Sequence, residues 1–265
     1  MNKQIIFSLI GLFIIVCSGM LLRKKLELVN HQAVQITKVY TKLTVGTSAD
    51  FPPFSFRDKT DEIVGFDIDV VREICKRLEL KIQLIDRPFS MLIPQIQVGQ
   101  IDLIAAGMTP NPEREKNLRF TKSYLKENPL VIVTAKDEIK NVEDLKGKSV
   151  IVNTGYISDI YISQFPEIKL IRLPKVSDAM LALEHNKADA FVTASLTLQP
   201  YNLASRAQNG ETLLKTIVIE NTSETSALGV SKKLTDELFE KIQVTLDEME
   251  KDGTLKGLKE KWKLE

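Results

Sequence analysis

Apolar residues along most of the chain alternate between a short strand pattern and a longer helical pattern. Residues 42–47 and 81–85 have the composition of short strands, whereas 67–80 carries apolar positions at the three- and four-residue spacing of an amphipathic helix. Another helix is predicted at 89–99, and a strand of small residues at 103–106. This alternation of strands and helices predicts an α/β fold.

The same alternation repeats in the second half of the chain. The elements predicted there are strands at 130–133, 149–152, 169–173 and 190–192, and helices at 142–145, from 158 and at 177–185. A strand at 228–230 and a long helix from Thr235 follow, and a final short helix ends at Trp262. The long helix carries the apolar stripe of a packed helix at Leu238, Phe239, Ile242, Leu246 and Met249. The repetition predicts two α/β lobes of about equal size.

The first 22 residues differ from the rest because residues 5–22 are almost entirely apolar. Lys3 precedes this run and three basic residues follow it, which predicts a signal peptide or an N-terminal membrane anchor, then a linker over 23–41. We therefore expect an exported, periplasmic or extracytoplasmic body. Two alternatives stay open: Cys17 carries a lipid, although valine precedes it, or the basic flank holds a tethered domain in the cytoplasm.

Composition narrows the chemistry that the chain can perform. Lys and Arg number 36 against 35 Asp and Glu, so the net charge of +1 offers no basic surface for nucleic acid or anionic lipid. Two cysteines, Cys17 and Cys75, support neither a disulfide framework nor a metal site, and Cys75 fits a helix core position. With only His31 and His185 in the sequence, we expect no hydrolase triad. We also expect no metal and no cofactor.

The segment 105–114 is the most informative stretch, because it runs from a strand of small residues through a turn into a helix start. Asn111 suits the N-cap and Pro112 the first helical position, which places Arg114 in the first turn, where the helix dipole disfavours a cation. A guanidinium beside free turn amides binds a carboxylate in a forked geometry, and Thr109 can add a donor. An exposed Arg114 paired with an adjacent glutamate is the alternative.

Two aromatic residues, Phe51 and Phe89, each follow a predicted strand. Ligands of open α/β sheets lie at the carboxyl ends of the strands, so two rings at this edge would sandwich a small organic molecule. The alternative is that both rings belong to the hydrophobic core.

Several motifs follow one another in a fixed order along the body of the chain. They are Val45–Phe56 (VGTSADFPPFSF), Gly65–Asp69 (GFDID), Gly99–Asp102, Ala106–Thr109 with Arg114, Leu145–Lys148, Thr154-Gly155, Lys187–Ala190 and the ending Lys251–Trp262. With this combination the chain, from about Lys42 to its C-terminus, resembles the polar amino-acid family of extracellular solute-binding proteins of ABC importers.

The resemblance implies a two-lobe clamp of the type II periplasmic-binding-protein kind. Each lobe would contain a mixed, mostly parallel sheet flanked by helices, and two crossing strands near 124–129 and 223–227 would form the hinge. Lobe 1 would then comprise 42–126 plus 226–265, and lobe 2 would comprise 127–225.

The resemblance also assigns roles to individual residues. The implied ligand-binding residues are Ser48, Phe51, Phe89, Ala106, Gly107, Thr109, Arg114, Asn153, Tyr156, Ile157 and Thr193. Arg114 would bind the α-carboxylate of an amino acid, with hydrogen bonds added by Thr109 and the backbone of 106–107. The two phenylalanines would flank its aliphatic part, while Ser48 and Asn153 would tune specificity for its side chain.

One position departs from the family's pattern. The family places an aspartate after the 187–190 motif to pair with the ligand's α-ammonium, and the residue here is Ala194. A buried ammonium without its carboxylate loses on the order of 3–5 kcal/mol, which is a factor of hundreds in affinity. Either another acid substitutes or the ligand is not a standard α-amino acid. Asp159 is the acid to inspect, although a place on a helix surface is its simpler explanation.

The expected function is the substrate-binding component of an ABC importer. It would capture an amino acid or a related small carboxylate, act as a monomer, and deliver the solute to a membrane permease without performing chemistry. Some relatives in the family are dehydratases of cyclohexadienyl carboxylates, so such an enzyme on the same clamp is the alternative. That enzyme needs a general acid, which the sequence does not place near Arg114. A sensory module is a third possibility, but it would normally be fused to a transducer, and we expect none here.

Overall fold

The computed structural model describes residues 40–201, 203 and 213–264, and from Tyr40 onward the chain forms one compact unit. The predicted leader, most of the predicted linker, Cys17 and His31 lie outside the described residues. Within the described part, no helix is long and apolar enough to cross a bilayer.

The strands and helices that the hydrophobic pattern predicts occur in the predicted order, with further short strands between them. The strands are β1 Lys42–Thr47, β2 Asp50–Phe51, β3 Ser55–Arg57, β4 Ile63–Val64, β5 Lys81–Asp86, β6 Leu103–Ile104, β7 Leu118–Phe120, β8 Leu125–Asn128, β9 Leu130–Thr134, β10 Ser149–Asn153, β11 Lys169–Leu173, β12 Ala190–Ala194, β13 Lys215–Val218, β14 Glu224–Ser226 and β15 Gly229–Ser231. The α-helices are α1 Phe66–Arg77, α2 Phe89–Val98, α3 Pro112–Glu115, α4 Ile157–Ile162, α5 Val176–Glu184, α6 Asp236–Lys251 and α7 Thr254–Trp262. Short 3₁₀ helices cover Val142–Leu145 and Ser195–Tyr201.

Each lobe is built on a five-stranded sheet. The first sheet has the order β5-β1-β6-β15-β7, and the second has the order β11-β10-β12-β9-β13. In the first, β1 is parallel to β5 and β6, whereas β15 is antiparallel to β6 and β7. In the second, β10 is parallel to β11 and β12, whereas β9 is antiparallel to β12 and β13. The two lobes therefore share one plan, a parallel three-stranded half completed by antiparallel strands.

Two smaller sheets position residues of the cleft between the lobes. Strands β8 and β14 pair antiparallel where the resemblance implies the hinge, and they connect the two lobes. Strands β2, β3 and β4 form an antiparallel sheet immediately after β1. This sheet holds Asp50 and Phe51 beside the carboxyl end of β1.

The α/β architecture and the two-lobe clamp are confirmed, with differences in detail. Strands β2, β3, β4, β7 and β13 are not predicted, because segments of two to four residues are too short to show a period of two. Strands β8 and β14 lie where the resemblance implies the two hinge strands. The helix predicted at 142–145 is a single 3₁₀ turn. Parallel pairing is less frequent than the resemblance implies, because antiparallel strands complete each sheet. The lobe boundaries at 126 and 226 stay predictions.

Apolar stripes on the helices pack into the core as their spacing predicts. In α1, Val70, Val71 and Ile74 are completely buried, and Cys75 is 2% exposed. Burial raises the pKa of the Cys75 thiol to about 11, so the thiol is neutral at physiological pH. The stripe of α6 is buried at Leu238, Ile242, Leu246 and Met249. The prediction of Cys75 as a core residue is confirmed.

Gly65 is a position where a side chain does not fit. Its φ is +137°, and a Cβ there would lie 2.2 Å from the carbonyl oxygen of Phe54. We expect Gly65→Ala to lower the free energy of unfolding by about 2–4 kcal/mol, measured by urea denaturation. In α7, a Cβ at Gly257 would have no neighbour within 4 Å. Gly257→Ala is therefore expected to raise the free energy of unfolding by about 0.5–1 kcal/mol. Equal stability of Gly65→Ala and the parent protein would contradict the close packing of these two segments.

Candidate functional site

A small cavity lies in the cleft between the lobes. It is lined by Phe51, Phe89, Gly107, Thr109, Arg114, Tyr156, Ile157 and Glu224. All of these except Glu224 are among the residues that the sequence predicts for the site. The structure therefore brings together side chains from β2, α2, α3, α4 and the hinge strand β14.

Arg114 is held in the cleft by the helix start that the sequence predicts. Asn111 caps α3, since its side-chain oxygen accepts from the Arg114 amide at 2.9 Å. The Arg114 side chain is directed inward and the residue is 5% exposed. Its guanidinium donates from Nη1 to the Thr109 carbonyl at 2.6 Å and from Nη2 to the Gly155 carbonyl of the other lobe at 2.9 Å. The alternative of an exposed arginine is wrong, and the adjacent Glu113 pairs with Lys116 instead.

The charge of Arg114 is maintained in spite of its burial. Desolvation lowers the pKa of Arg114 to about 10, which still leaves the guanidinium protonated at neutral pH. The Phe89 ring lies 5.3 Å from the guanidinium carbon, a distance at which the ring face attracts a cation. The cleft therefore contains a permanent buried cation that can receive a ligand carboxylate.

Glu224 is the buried acid that faces this cation. It is the first residue of β14 and is 7% exposed. Burial raises the pKa of the Glu224 carboxyl to about 7, and the nearby Arg114 charge opposes that rise. Glu224 is not predicted from the sequence, because its position in a short polar hinge segment has no local signal of burial. Glu224 could have been predicted only from the hinge at 223–227 that the resemblance implies.

Tyr156 fills the space between the two predicted aromatic walls. Its ring centroid lies 5.0 Å from that of Phe51 and 4.4 Å from that of Phe89, both in edge-to-face geometry. Phe51 and Phe89 are 3% and 8% exposed, so the two rings are both part of the core and part of the cleft wall. The volume open to the centre of a water molecule is about 10 Å³, room for about one water. An amino acid therefore enters only when Tyr156 or the lobes move.

The turn before Arg114 depends on an acid from another motif. Gly107 has a φ of +60°, and a Cβ there would lie 2.7 Å from the Phe51 ring. Its amide donates to Oδ2 of Asp67 at the start of α1. Asp67 is completely buried, which raises the pKa of its carboxyl to about 7. Asp67 therefore positions the turn, a role that the sequence analysis does not assign.

Four predicted site residues do not line the small cavity. Ser48 lies in a neighbouring pocket, and Ala106 is buried behind the turn. The Asn153 side chain donates to the Leu173 carbonyl at 3.2 Å, and the Thr193 hydroxyl lies 3.0 Å from that of Thr197. A ligand-binding role for these residues stays a prediction.

The contacts of Asp159 explain why it does not substitute for the missing aspartate. Its carboxylate accepts from the Gly155 amide at 2.9 Å and from Arg172 Nε at 2.9 Å, so both of its oxygens stabilise α4. Ala194 lies buried at the end of β12. In the described ranges, no group of three or more histidine, cysteine, aspartate or glutamate residues could hold a metal ion.

Comparison with known proteins decides the family. Residues 43–265 match the family model described as bacterial extracellular solute-binding proteins, family 3. The chain belongs to this family. The match covers the part of the chain to which the sequence analysis assigns its resemblance, so the predicted family is confirmed. Relatives of the chain include ABC transporter arginine-binding protein 1 of Escherichia coli, which is 30% identical over 223 residues, covering 83% of this chain and 90% of that protein.

Individual relatives support the same assignment. The chain is 30% identical over 224 residues to the arginine-binding extracellular protein ArtP of Bacillus subtilis, covering 83% of this chain and 86% of that protein. It is 37% identical, with a TM-score of 0.76, to an ancestral arginine-binding protein solved with arginine, covering 84% and 98% of the two chains. AncCDT-1, an ancestral amino acid-binding protein described as a precursor of cyclohexadienyl dehydratase, is 33% identical with a TM-score of 0.73, covering 84% and 95%.

Proposed function

We propose that this solute-binding protein captures an α-amino acid by a pair of buried opposite charges. Arg114 binds the α-carboxylate, and Glu224 binds the α-ammonium. The observation that carries this proposal is that both side chains line one cavity while being 5% and 7% exposed. A zwitterionic head group satisfies both charges at once, whereas a simple carboxylate would satisfy only Arg114.

Glu224 in this proposal replaces the aspartate that the family's pattern places at Ala194. The substitution moves the acid from β12 of lobe 2 to the hinge strand β14. Because Asp159 is held by Arg172 and the Gly155 amide, Glu224 is the acid with a free approach to the head group. A hinge position also couples binding to closure, since the acid lies where the two lobes join.

A calorimetric ligand screen of the purified protein tests this function. Arginine, histidine and glutamine are the first ligands, because relatives are named for them. For a ligand of about ten heavy atoms at about 0.8–1 kcal/mol each, we expect a dissociation constant that is micromolar or tighter. The desamino analogue of the best ligand is expected to bind at least about 100-fold more weakly. Equal binding of both analogues, or no binding of any amino acid, would contradict the proposal.

The importer and the location complete the proposed function. Because the family is extracellular, we propose that the apolar run at 5–22 exports the protein, and that the closed clamp delivers its ligand to a membrane permease as a monomer. Uptake of the radiolabelled ligand by cells that lack and then regain this protein tests the delivery. Fractionation of the same cells tests the location.

A second candidate function rests on the same glutamate. A carboxyl with a pKa near 7 is half protonated at neutral pH, which suits a general acid beside a carboxylate-binding arginine. A dehydratase of cyclohexadienyl carboxylates would use such a general acid, and the similarity to AncCDT-1, a precursor of cyclohexadienyl dehydratase, supports this candidate. Incubation with a cyclohexadienyl carboxylate tests it, because the aromatic product absorbs in the ultraviolet. Turnover that is lost in Glu224→Gln would support the enzyme over the transporter.

A further inference from the structure

A second, larger pocket opens beside the small cavity. We call it the outer pocket, and it is lined by Ser48, Ala49, Asp50, Arg57, Asp86, Arg87, Pro88, Pro174 and Lys175. The volume open to the centre of a water molecule is about 310 Å³, against about 10 Å³ in the small cavity. Lobe 1 supplies most of its lining, and Pro174 and Lys175 come from lobe 2. It is therefore part of the same cleft and large enough for a ligand side chain.

Most charges of the outer pocket are already engaged or exposed to water. Asp86 forms an ion pair with Arg57 at 3.2 Å and accepts from the Ala49 amide at 2.9 Å. Arg87 donates to the Asp86 carbonyl, and both Arg87 and Lys175 are exposed, so water and salt screen their charges. Asp50 is the exception that remains to be explained.

Asp50 is a half-buried carboxylate that lacks an ion pair among the described residues. Its Oδ1 accepts from the Ser48 hydroxyl at 2.6 Å, and Lys175 acts on it across the cleft only at longer range. Burial raises the pKa of Asp50, which shows that the carboxylate gains less from its surroundings than it loses by leaving water. A cation placed against Asp50 would reverse that balance.

Tyr156 separates Asp50 from the head-group charges. Its ring lines the small cavity, and the charges of Asp50 and Glu224 both act on its hydroxyl. This hydroxyl is buried without a hydrogen-bond partner among the described residues. A ligand that displaces Tyr156 would have Arg114 and Glu224 at its head group, and its side chain would extend towards Asp50 in the outer pocket.

We infer that the ligand is a basic amino acid whose cationic side chain extends past Tyr156 into the outer pocket and binds Asp50. The inference rests on the proposed function and adds the class of the ligand side chain. Lys175 works against the cation, because it is a like charge on the opposite wall. Arginine and citrulline have the same shape and differ in this charge, so their affinities measure the contribution of Asp50.

Calorimetry with arginine and citrulline on the full protein and three variants tests the inference. In the parent protein we expect arginine to bind at least about tenfold more tightly than citrulline. Asp50→Asn is expected to remove most of this preference and to change citrulline affinity less than about threefold. Lys175→Gln is expected to increase the preference about two- to threefold. The matched control is Asp86→Asn, which removes a carboxylate of the same pocket that Arg57 already engages, and it should change the preference less than Asp50→Asn does.

Several results would overturn the inference. One is an unchanged preference for arginine over citrulline in Asp50→Asn with an unchanged unfolding temperature. Another is a parent protein that binds citrulline or glutamine as tightly as arginine, and in that case the head-group pair of Arg114 and Glu224 still stands. Failure of every α-amino acid to bind would instead refute the proposed function itself. The thermal unfolding of each variant separates a lost contact from a lost fold.

Discussion

Arg114→Ala is expected to abolish measurable binding of amino acids by this solute-binding protein. The guanidinium is 5% exposed, bridges Thr109 and Gly155, and remains charged because its pKa falls only to about 10. Removing the cation leaves the ligand carboxylate and Glu224 without their counter-charge in a buried site, which costs about 3–5 kcal/mol. The affinity should fall by a factor of hundreds or more.

A second arginine of lobe 1 provides the control for this variant. Arg119 pairs with Asp236 at 2.6 Å and lies over the Phe239 ring, away from the cleft. Arg119→Ala should lower the unfolding temperature while leaving the dissociation constant within about threefold of the parent value. Calorimetry on both variants, with unfolding followed by circular dichroism, separates binding from folding. Unchanged affinity in a folded Arg114→Ala would refute the assignment of the carboxylate site.

The sequence predicts Arg114 because its signal is local. Asn111, Pro112 and Arg114 occupy a helix start within four residues, and the conflict between a cation and the helix dipole is visible without the fold. Phe51 and Phe89 are predictable for a similar reason, since each follows a strand whose carboxyl end lies at the ligand edge. Local patterns also predict the longer strands and helices of both lobes, whereas they miss the strands of two to four residues at β2, β3, β4, β7 and β13.

Glu224 could not be predicted in the same way. It is 110 positions away from Arg114 in the chain, and the two meet only because β14 pairs with β8 at the hinge. The sequence points to Asp159 as a substitute acid, but Arg172 from β11 engages it, and that contact also depends on the fold. The position of the Tyr156 ring between Phe51 and Phe89 depends on how the lobes meet. Contacts that form only in the folded chain therefore account for the site features that the sequence does not predict.

Replacing Glu224, the proposed partner of the ligand ammonium, is the second change with a large expected effect on binding. Glu224→Gln should weaken the binding of an α-amino acid by about 100-fold or more, because an amide cannot neutralise a buried ammonium. The desamino analogue of the same ligand should bind this variant at least as well as it binds the parent protein. The ratio of the two affinities, measured by calorimetry, isolates the ammonium contact from any general damage to the site. An unchanged ratio would exclude Glu224 from this role.

The pH dependence of binding gives Glu224 a second readout. The unliganded carboxyl has a pKa of about 7, and only its ionised form attracts the ammonium. As pH falls below about 7, binding must displace a proton, so affinity should fall by up to about tenfold per pH unit, and it should level off above about pH 8. The Glu224→Gln profile should be flatter. Asp67, which is also buried and has a pKa of about 7, would account for a slope that remains in this variant.

The stability of the unliganded protein should change in the opposite direction. A carboxyl whose pKa is raised from 4.5 to about 7 on folding binds more protons in the native state over that range. The free energy of unfolding therefore declines as pH rises from about 4.5 to about 7, and the Glu224→Gln variant should lose this part of the decline. Urea denaturation of both proteins at pH 5 and pH 8 measures the difference. The same decline in both proteins would mean that Glu224 does not titrate on folding. If Glu224 does carry this cost in the unliganded protein, the ligand's ammonium offsets the cost on binding, which explains why a buried acid is present at the hinge.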